Sequence, residues 1–353
     1  MRNWIDTLGA LAAARTPAVL VTVVAAKGSV PRLPGTRMLV SAEAIHGTIG
    51  GGHLEFKAID IARDLLVTRG PAALHRFPLG ATLGQCCGGL AQLLFEPVGE
   101  RSVWLDAVAK AQAEGADCVL ITPVRGDAAE GRLVVTATGV SGTLGSAARD
   151  DAAVTLARTA LAARGESRLR MLGEADAIEC FIDVLRQPEL RVVLFGAGHV
   201  GRALVRALAG IHCRITWIDT RDDAFPAEVP SQVECVATDA PEAEVTAAPA
   251  GAHFLVMTHS HAQDEALAER ILARDDFAYF GLIGSTAKRR QFEQRLAARG
   301  VERARLDRMT CPIGISGIAG KEPDVIAIAV AAQVLQVHSR RMAHVAERDA
   351  RRA

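Results

Sequence analysis

Arg191-Val192-Val193-Leu194-Phe195-Gly196-Ala197-Gly198-His199-Val200-Gly201 decides the fold of half of this chain. Arg191 to Phe195 is a β-branched, apolar run, the pattern of a strand buried on both faces. The glycines that follow open a helical pattern over residues 199–209, and a second strand, Arg214 to Ile218, ends in Asp219. This is GxGxxG between a strand and a helix, with the acid 18 residues after the last glycine (201 to 219), near the usual ~20. Gly196, Gly198 and Gly201 serve a tight turn, close approach of backbone to a phosphate, and close packing of helix on strand. Asp219 could accept from a ribose hydroxyl or simply cap the turn into Thr220-Arg221. His199 stands where dehydrogenases often carry a small residue, which leaves nicotinamide use open.

Working outward, strands at Gln232–Val236, His253–Thr258 and Tyr279–Ile283 alternate with helices at Asp264–Ala273 and Thr286–Ala298. That alternation predicts a Rossmann-like, doubly wound parallel sheet, whose strand ends place ligands. Three segments fall there: Thr258-His259-Ser260-His261, Gly284 to Arg289, and Cys311 to Ile315. His259, His261 and Asp264 read as metal ligands or as hydrogen-bonding groups. Pro323 to His338 predicts a core helix, and the Arg-rich end predicts a frayed basic tail over residues 341–353.

Before the Rossmann pattern, Arg186-Gln187-Pro188-Glu189 is a polar break with a proline, and it predicts a domain boundary. Residues 1–186 and 190–340 are then two domains. The first is expected to be a mixed α/β domain, with strands such as Ala18–Ala26 and helices at Leu54–Val67, 103–113 and Ala152–Ala163.

Three segments of the first domain carry chemistry. Lys27 to Met38 holds two prolines, two glycines and the cations Lys27, Arg32 and Arg37, a stiff loop suited to an anion or simply a solvated turn. Gly50-Gly51-Gly52-His53-Leu54-Glu55 lies at a helix start, where amides can meet an anion. His53 there is a ligand, a proton donor or a structural residue, and Glu55 is a first-turn acid. Gly84-Gln85-Cys86-Cys87-Gly88-Gly89 sets two thiols between glycines that remove bulk and permit backbone amides to turn toward a thiolate. Two small residues in a buried turn are the other expectation.

Lys plus Arg and Asp plus Glu are 40 each among 353 residues, so net charge favours neither nucleic acid nor a membrane surface. Seven cysteines without a CxxC pair fit a reducing, cytoplasmic setting rather than a disulfide framework or structural zinc. The longest apolar runs fall short of the ~20 residues that span a bilayer. The start of the chain shows no secretory pattern. A neutral chain with two α/β domains is compatible with a homodimer.

These segments together resemble the XdhC/CoxI family. The resemblance rests on Ser29-x-Pro31-Arg32-x-x-Gly35-x-x-Met38, Gly50 to Glu55, Gln85 to Gly89, Gly196 to Gly201, Thr258-His259-Ser260-His261-x-x-Asp264, Gly281 to Ser285 and Pro312-Ile313-Gly314. It implies an accessory protein of purine catabolism, not an enzyme, that binds the molybdenum cofactor (molybdopterin) for sulfuration. It further implies work with a cysteine desulfurase and molybdenum cofactor synthesis proteins, and delivery to xanthine dehydrogenase. Under that resemblance, Cys86 and Cys87 are metal-ligand and cofactor candidates. Arg32, Arg37, Gly51, Gly52 and His53 are cofactor-binding candidates, and Gly196, Gly198, His199, Gly201 and Asp219 form a rival phosphate or nucleotide site. A nicotinamide-dependent oxidoreductase is the competing expectation.

Overall fold

A strand with no polar face must be covered on both sides, and β1 (Ala18–Lys27) is buried over its first seven residues. In the computed structural model, which describes residues 4–79, 88–98, 102–125, 131–173 and 177–350, β1 is the centre of an antiparallel sheet. It follows α1 (Trp4–Ala13) and precedes β2 (Arg37–Ser41), β3 (Ile45–Gly47), α2 (Gly52–Thr68), β4 (Ala73–Pro78) and β5 (Leu90–Val98), in the order β3-β2-β1-β5-β4. Val19, Val21 and Val23 pack with Leu54, Ala58 and Ala62 of α2. Leu20 points the other way, into a cluster with Ile5 and Leu8 of α1. Burying each such side chain contributes roughly 1.5–3 kcal/mol.

The chain continues with α3 (Val103–Ala113), β6 (Cys118–Pro123), β7 (Leu133–Thr136), β8 (Val140–Gly142), α4 (Ala147–Ala162), β9 (Arg168–Leu172) and β10 (Ile178–Leu185). These strands form a second antiparallel sheet, β8-β7-β6-β10-β9. Leu105 and Val108 of α3 share the cluster of Leu20 with Leu120 and Val134 of the second sheet. Ala153 and Ala157 of α4 cover the opposite face of that sheet.

Arg2–Gln187 form one compact unit and Pro188–Ala353 the other. The second unit runs β11 (Leu190–Phe195), α5 (His199–Leu208), β12 (Cys213–Asp219), β13 (Val233–Ala237), α6 (Pro241–Ala247), β14 (His253–Val256), α7 (His261–Leu272), β15 (Tyr279–Leu282), α8 (Thr286–Ala298), α9 (Arg303–Leu306), β16 (Met309–Thr310) and α10 (Pro323–Ala350). The sheet is parallel, ordered β13-β12-β11-β14-β15-β16. Alternate residues of β11 serve opposite cores: Val192 and Leu194 meet α5 and α10, while Val193 and Phe195 meet α7 and α8. The sheet is therefore doubly wound, with the reversal of strand order between β11 and β14.

The basic tail expected over 341–353 is instead helical as far as Ala350, within α10. Neither proline nor glycine follows Pro323, and the segment is rich in Ala and Arg, which sustain a helix. Arg341 also donates to the Gly251 carbonyl at 3.1 Å, which anchors the extension. Among the described residues no helix is long and apolar enough to cross a membrane.

Candidate functional site

In the first unit, three connections meet at one end of the first sheet. The β1–β2 loop holds Gly28 to Thr36, the β3–α2 turn holds Thr48 to Gly51, and the β4–β5 connection returns through Gly88 and Gly89. A Cβ on Gly89 would stand 2.3 Å from the Ser29 carbonyl oxygen and 2.8 Å from that of Lys27. One on Gly50 would stand 2.5 Å from the Pro31 Cβ. Only glycine permits either approach, so the glycines bring the loops together. At Gly51 and Gly88, by contrast, a Cβ would meet open space, leaving bare main chain at the surface. Cys86 and Cys87 lie outside the described residues, bonded in sequence to Gly88.

The cations of the β1–β2 loop divide. Lys27 and Arg32 are exposed and, among the described residues, have no side-chain partner. Arg37 is not available to a ligand in this way. Its side chain, 6% exposed on β2, donates to the Gly35 carbonyl at 3.0 Å, pairs with Asp183 of β10, and lies 4.2 Å over the Trp4 ring. The cofactor role expected for Arg37 is therefore replaced by a structural one.

The amides expected to receive an anion at the start of α2 are also partly engaged. Glu55 Oε2 accepts from Ile49 N at 2.9 Å, Gly51 N at 3.1 Å and the Thr48 hydroxyl at 2.5 Å, while Gly50 N donates to Thr48 Oγ1 at 3.0 Å. Burial pushes the Glu55 carboxyl up, but the Thr48 hydroxyl and the amides of Gly51, Ile49 and Gly50 outweigh it and hold the pKa below its ordinary value. An internal carboxylate thus occupies the place where an external anion was expected. His53 is exposed on the first turn of α2 and faces no partner among the described residues.

In the second unit the glycine turn is tightly built. A Cβ on Gly201 would sit 2.1 Å from the Gly196 carbonyl oxygen, which accepts from Trp217 Nε1 at 3.1 Å. Gly198 and His199 are exposed at the start of α5. Asp219 is only 7% exposed and both its oxygens are committed. One accepts from Ala197 N at 2.7 Å, and Arg221 grips both, at 2.9 and 3.1 Å. Burial raises its pKa, yet Arg221 and the Ala197 amide more than offset that and hold it low. A ribose hydroxyl would have to displace one of these donors, so Asp219 acts as the turn's cap.

At the neighbouring strand ends, Asp264 is fully buried and accepts from Thr258 Oγ1 at 2.7 Å and from Lys288 Nζ at 2.7 Å. Lys288 takes the carboxylate that a metal site with His259 and His261 would need. No group of three metal-ligating side chains occurs among the described residues. The Lys288–Asp264 pair was not legible in the sequence, because nothing in a helix start marks which acid 24 residues earlier will meet it. The described thiols are also ordinary. Burial pushes Cys118 and Cys180 up to about 12 and Cys213 to about 11, and raises Cys311 and the exposed Cys235. Thiols so shifted stay protonated and unreactive.

The model of the XdhC Rossmann domain matches residues 192–334, and that of the XdhC and CoxI family matches residues 11–78. The chain is of the XdhC type. The first match spans the parallel sheet up to the middle of α10, and the second spans β1 to β4 with the cationic loop and the glycine turn. This XdhC-type chain is 30% identical over 148 residues to the uncharacterized protein YqeB of Escherichia coli K12, a match spanning 42% of this chain and only 27% of that protein. A crystal structure described as a xanthine dehydrogenase from Bacillus halodurans superposes with a TM-score of 0.68 at 21% identity, covering 96% of each chain. That likeness concerns the fold.

Proposed function

We propose that this chain is an accessory protein of molybdenum enzyme maturation, which holds the molybdenum cofactor for sulfuration and hands it to xanthine dehydrogenase. The observation that carries this reading is the meeting of the three loops in the first unit. Gly89 seats the end of the Cys-Cys segment against the Ser29 and Lys27 carbonyls, beside the exposed Lys27 and Arg32. Soft thiolates suit a sulfur-rich molybdenum centre, and free cations suit a pterin phosphate. The bare main chain at Gly51 and Gly88 leaves room for a flat ligand to lie on the backbone. Bound there, the cofactor would supply the molybdenum and dithiolene chemistry of the target enzyme. The chain's own residues do the holding: Cys86 and Cys87 at the metal end, Lys27 and Arg32 at the phosphate end.

A cysteine desulfurase and the cofactor's synthesis proteins are the expected upstream partners, in the cytoplasm. The nicotinamide-dependent alternative loses its main support where Asp219 is spent on Ala197 and Arg221. The test is the molybdenum and pterin content of the chain purified without oxygen from a cofactor-producing host, with NADH titrated into the same sample. Close to one cofactor per chain with no saturable NADH binding is expected. Saturable NADH binding without molybdenum or pterin would overturn the reading.

A further inference from the structure

The first unit is built twice. Its two sheets share one strand order, and their registers correspond residue by residue. Ala18 faces Ser41 as Cys118 faces Thr136, Leu20 faces Glu96 as Leu120 faces Asp183, and Ala73 faces Phe95 as Arg168 faces Ile182. A shift of 100 residues relates α1 and β1 to α3 and β6 (Trp4 to Trp104, Leu20 to Leu120). A shift of 95 relates β2 through β4 to β7 through β9 (Arg37 to Arg132, Gly47 to Gly142), and one of 87 relates β5 to β10 (Glu96 to Asp183).

Local detail repeats as well. Thr143 and Asp150 reproduce the turn of Thr48 and Glu55, with Gly145 N on Thr143 Oγ1 at 3.0 Å. Arg69 and Arg164 both follow their helices at φ 51°. The contacts between copies are reciprocal: Arg37 of the first reaches Asp183 of the second, and Arg132 of the second reaches Glu96 of the first at 2.5 Å. Each guanidinium lies 4.2 Å over the tryptophan of its own copy, and Trp4 stacks on Trp104 with centroids 6.4 Å apart. Such reciprocity is that of a two-fold dimer fused into one chain.

The copies differ in length where the shift changes. The first has five more residues between β1 and β2 (100 to 95) and eight more between β4 and β5 (95 to 87). Those two loops carry Arg32, Cys86 and Cys87, and Lys27 borders the first of them. We propose that the second copy has no share in binding ligand and instead braces the first, with Asp183 as the positioning residue for the β1–β2 loop. Asp183 is 1% exposed, and it holds Arg37 with one oxygen and accepts from Ser167 Oγ at 3.0 Å with the other. Arg37 in turn holds the Gly35 carbonyl at 3.0 Å, close to where the loop re-enters the sheet. This inference rests on the proposed cofactor site.

The duplication supplies its own control. The Arg132–Glu96 pair is buried to a similar degree, with side-chain exposures of 10% and 8% against 6% and 2% for Arg37–Asp183, but the arginine that Glu96 holds, Arg132, belongs to the copy whose loops are short. Asp183→Asn and Glu96→Gln should therefore destabilise the unit comparably. Only Asp183→Asn should reduce retained molybdenum and pterin, by about tenfold, and speed hydrogen exchange over residues 28–36. Equal loss of cofactor in both variants, or in neither, overturns the brace. Should Asp183→Asn fail to fold, the double variant Arg37→Met with Asp183→Leu, which leaves no buried charge unpaired, carries the same comparison. If the wild type holds no cofactor, the functional reading fails on its own. Exchange over residues 28–36 still decides the brace: it supports it if faster in the Asp183 variant and overturns it if unchanged.

Discussion

Replacing Cys86 and Cys87 together by alanine is expected to lower the molybdenum retained per chain by at least about tenfold, the scale on which metal sites respond to loss of their ligands and supports. Among the described cysteines, Cys118, Cys180, Cys213 and Cys311 are buried, and burial holds each of them in the thiol form. None can replace a thiolate at the loop cluster. Cys235, exposed on β13 of the second unit, serves as a control, and Cys235→Ala is expected to leave metal content unchanged. Because the glycines of the β4–β5 connection seat it whether or not the thiols are present, the thermal midpoint should move little. Unchanged molybdenum in the double variant would remove the thiols from the site.

The second large effect concerns stability in acid. His253 opens β14 with 1% of its surface exposed, and its ring centroid lies 5.7 Å from that of His338 on α10. Burial first, then His338 and Arg341, push its pKa down to about 4, against a smaller upward pull from the Arg191 backbone. Unfolded, the same ring titrates near 6.5, so between those values the unfolded chain binds the extra proton. Stability contributed by the neutral ring is complete above about pH 6.5 and is lost as pH falls toward 4. The loss approaches about 3 kcal/mol, a large share of the ~5–15 kcal/mol typical of a folded domain. His338 is shifted the same way by burial and adds to the effect. Urea titrations of the wild type from pH 7 to pH 4.5 should show the fall, and His253→Phe should flatten it. Identical profiles would contradict the assignment, since the depressed carboxyls of Glu55, Asp219 and Glu293 titrate below this window.

The Rossmann half was legible because its requirements are local. Gly201 must lie against the Gly196 carbonyl, and that constraint leaves its mark within six residues. Strand β1 was legible for a similar reason, as a run of valines that can only be interior. Arg37 was misread because its partner Asp183 stands 146 residues away and nothing beside Arg37 marks it as buried. Glu55 offered a clue, since an acid in a helix's first turn tends to take up free amides, and here it takes the Gly51 amide that the anion was assigned. The duplication stayed hidden because the copies share fold-determining positions such as Trp4 and Trp104 or Gly47 and Gly142, while most intervening residues differ. Register, which no sequence prints, makes the correspondence visible.

The measurement that bears most directly on the proposed site is hydrogen exchange on the full chain, loaded with molybdenum cofactor and then stripped of it. Loading is expected to slow exchange over residues 28–36, 48–52 and 79–89, leaving 196–201 unchanged. Protection confined to 196–201 and 219–221 would contradict it and move the ligand to the Rossmann turn.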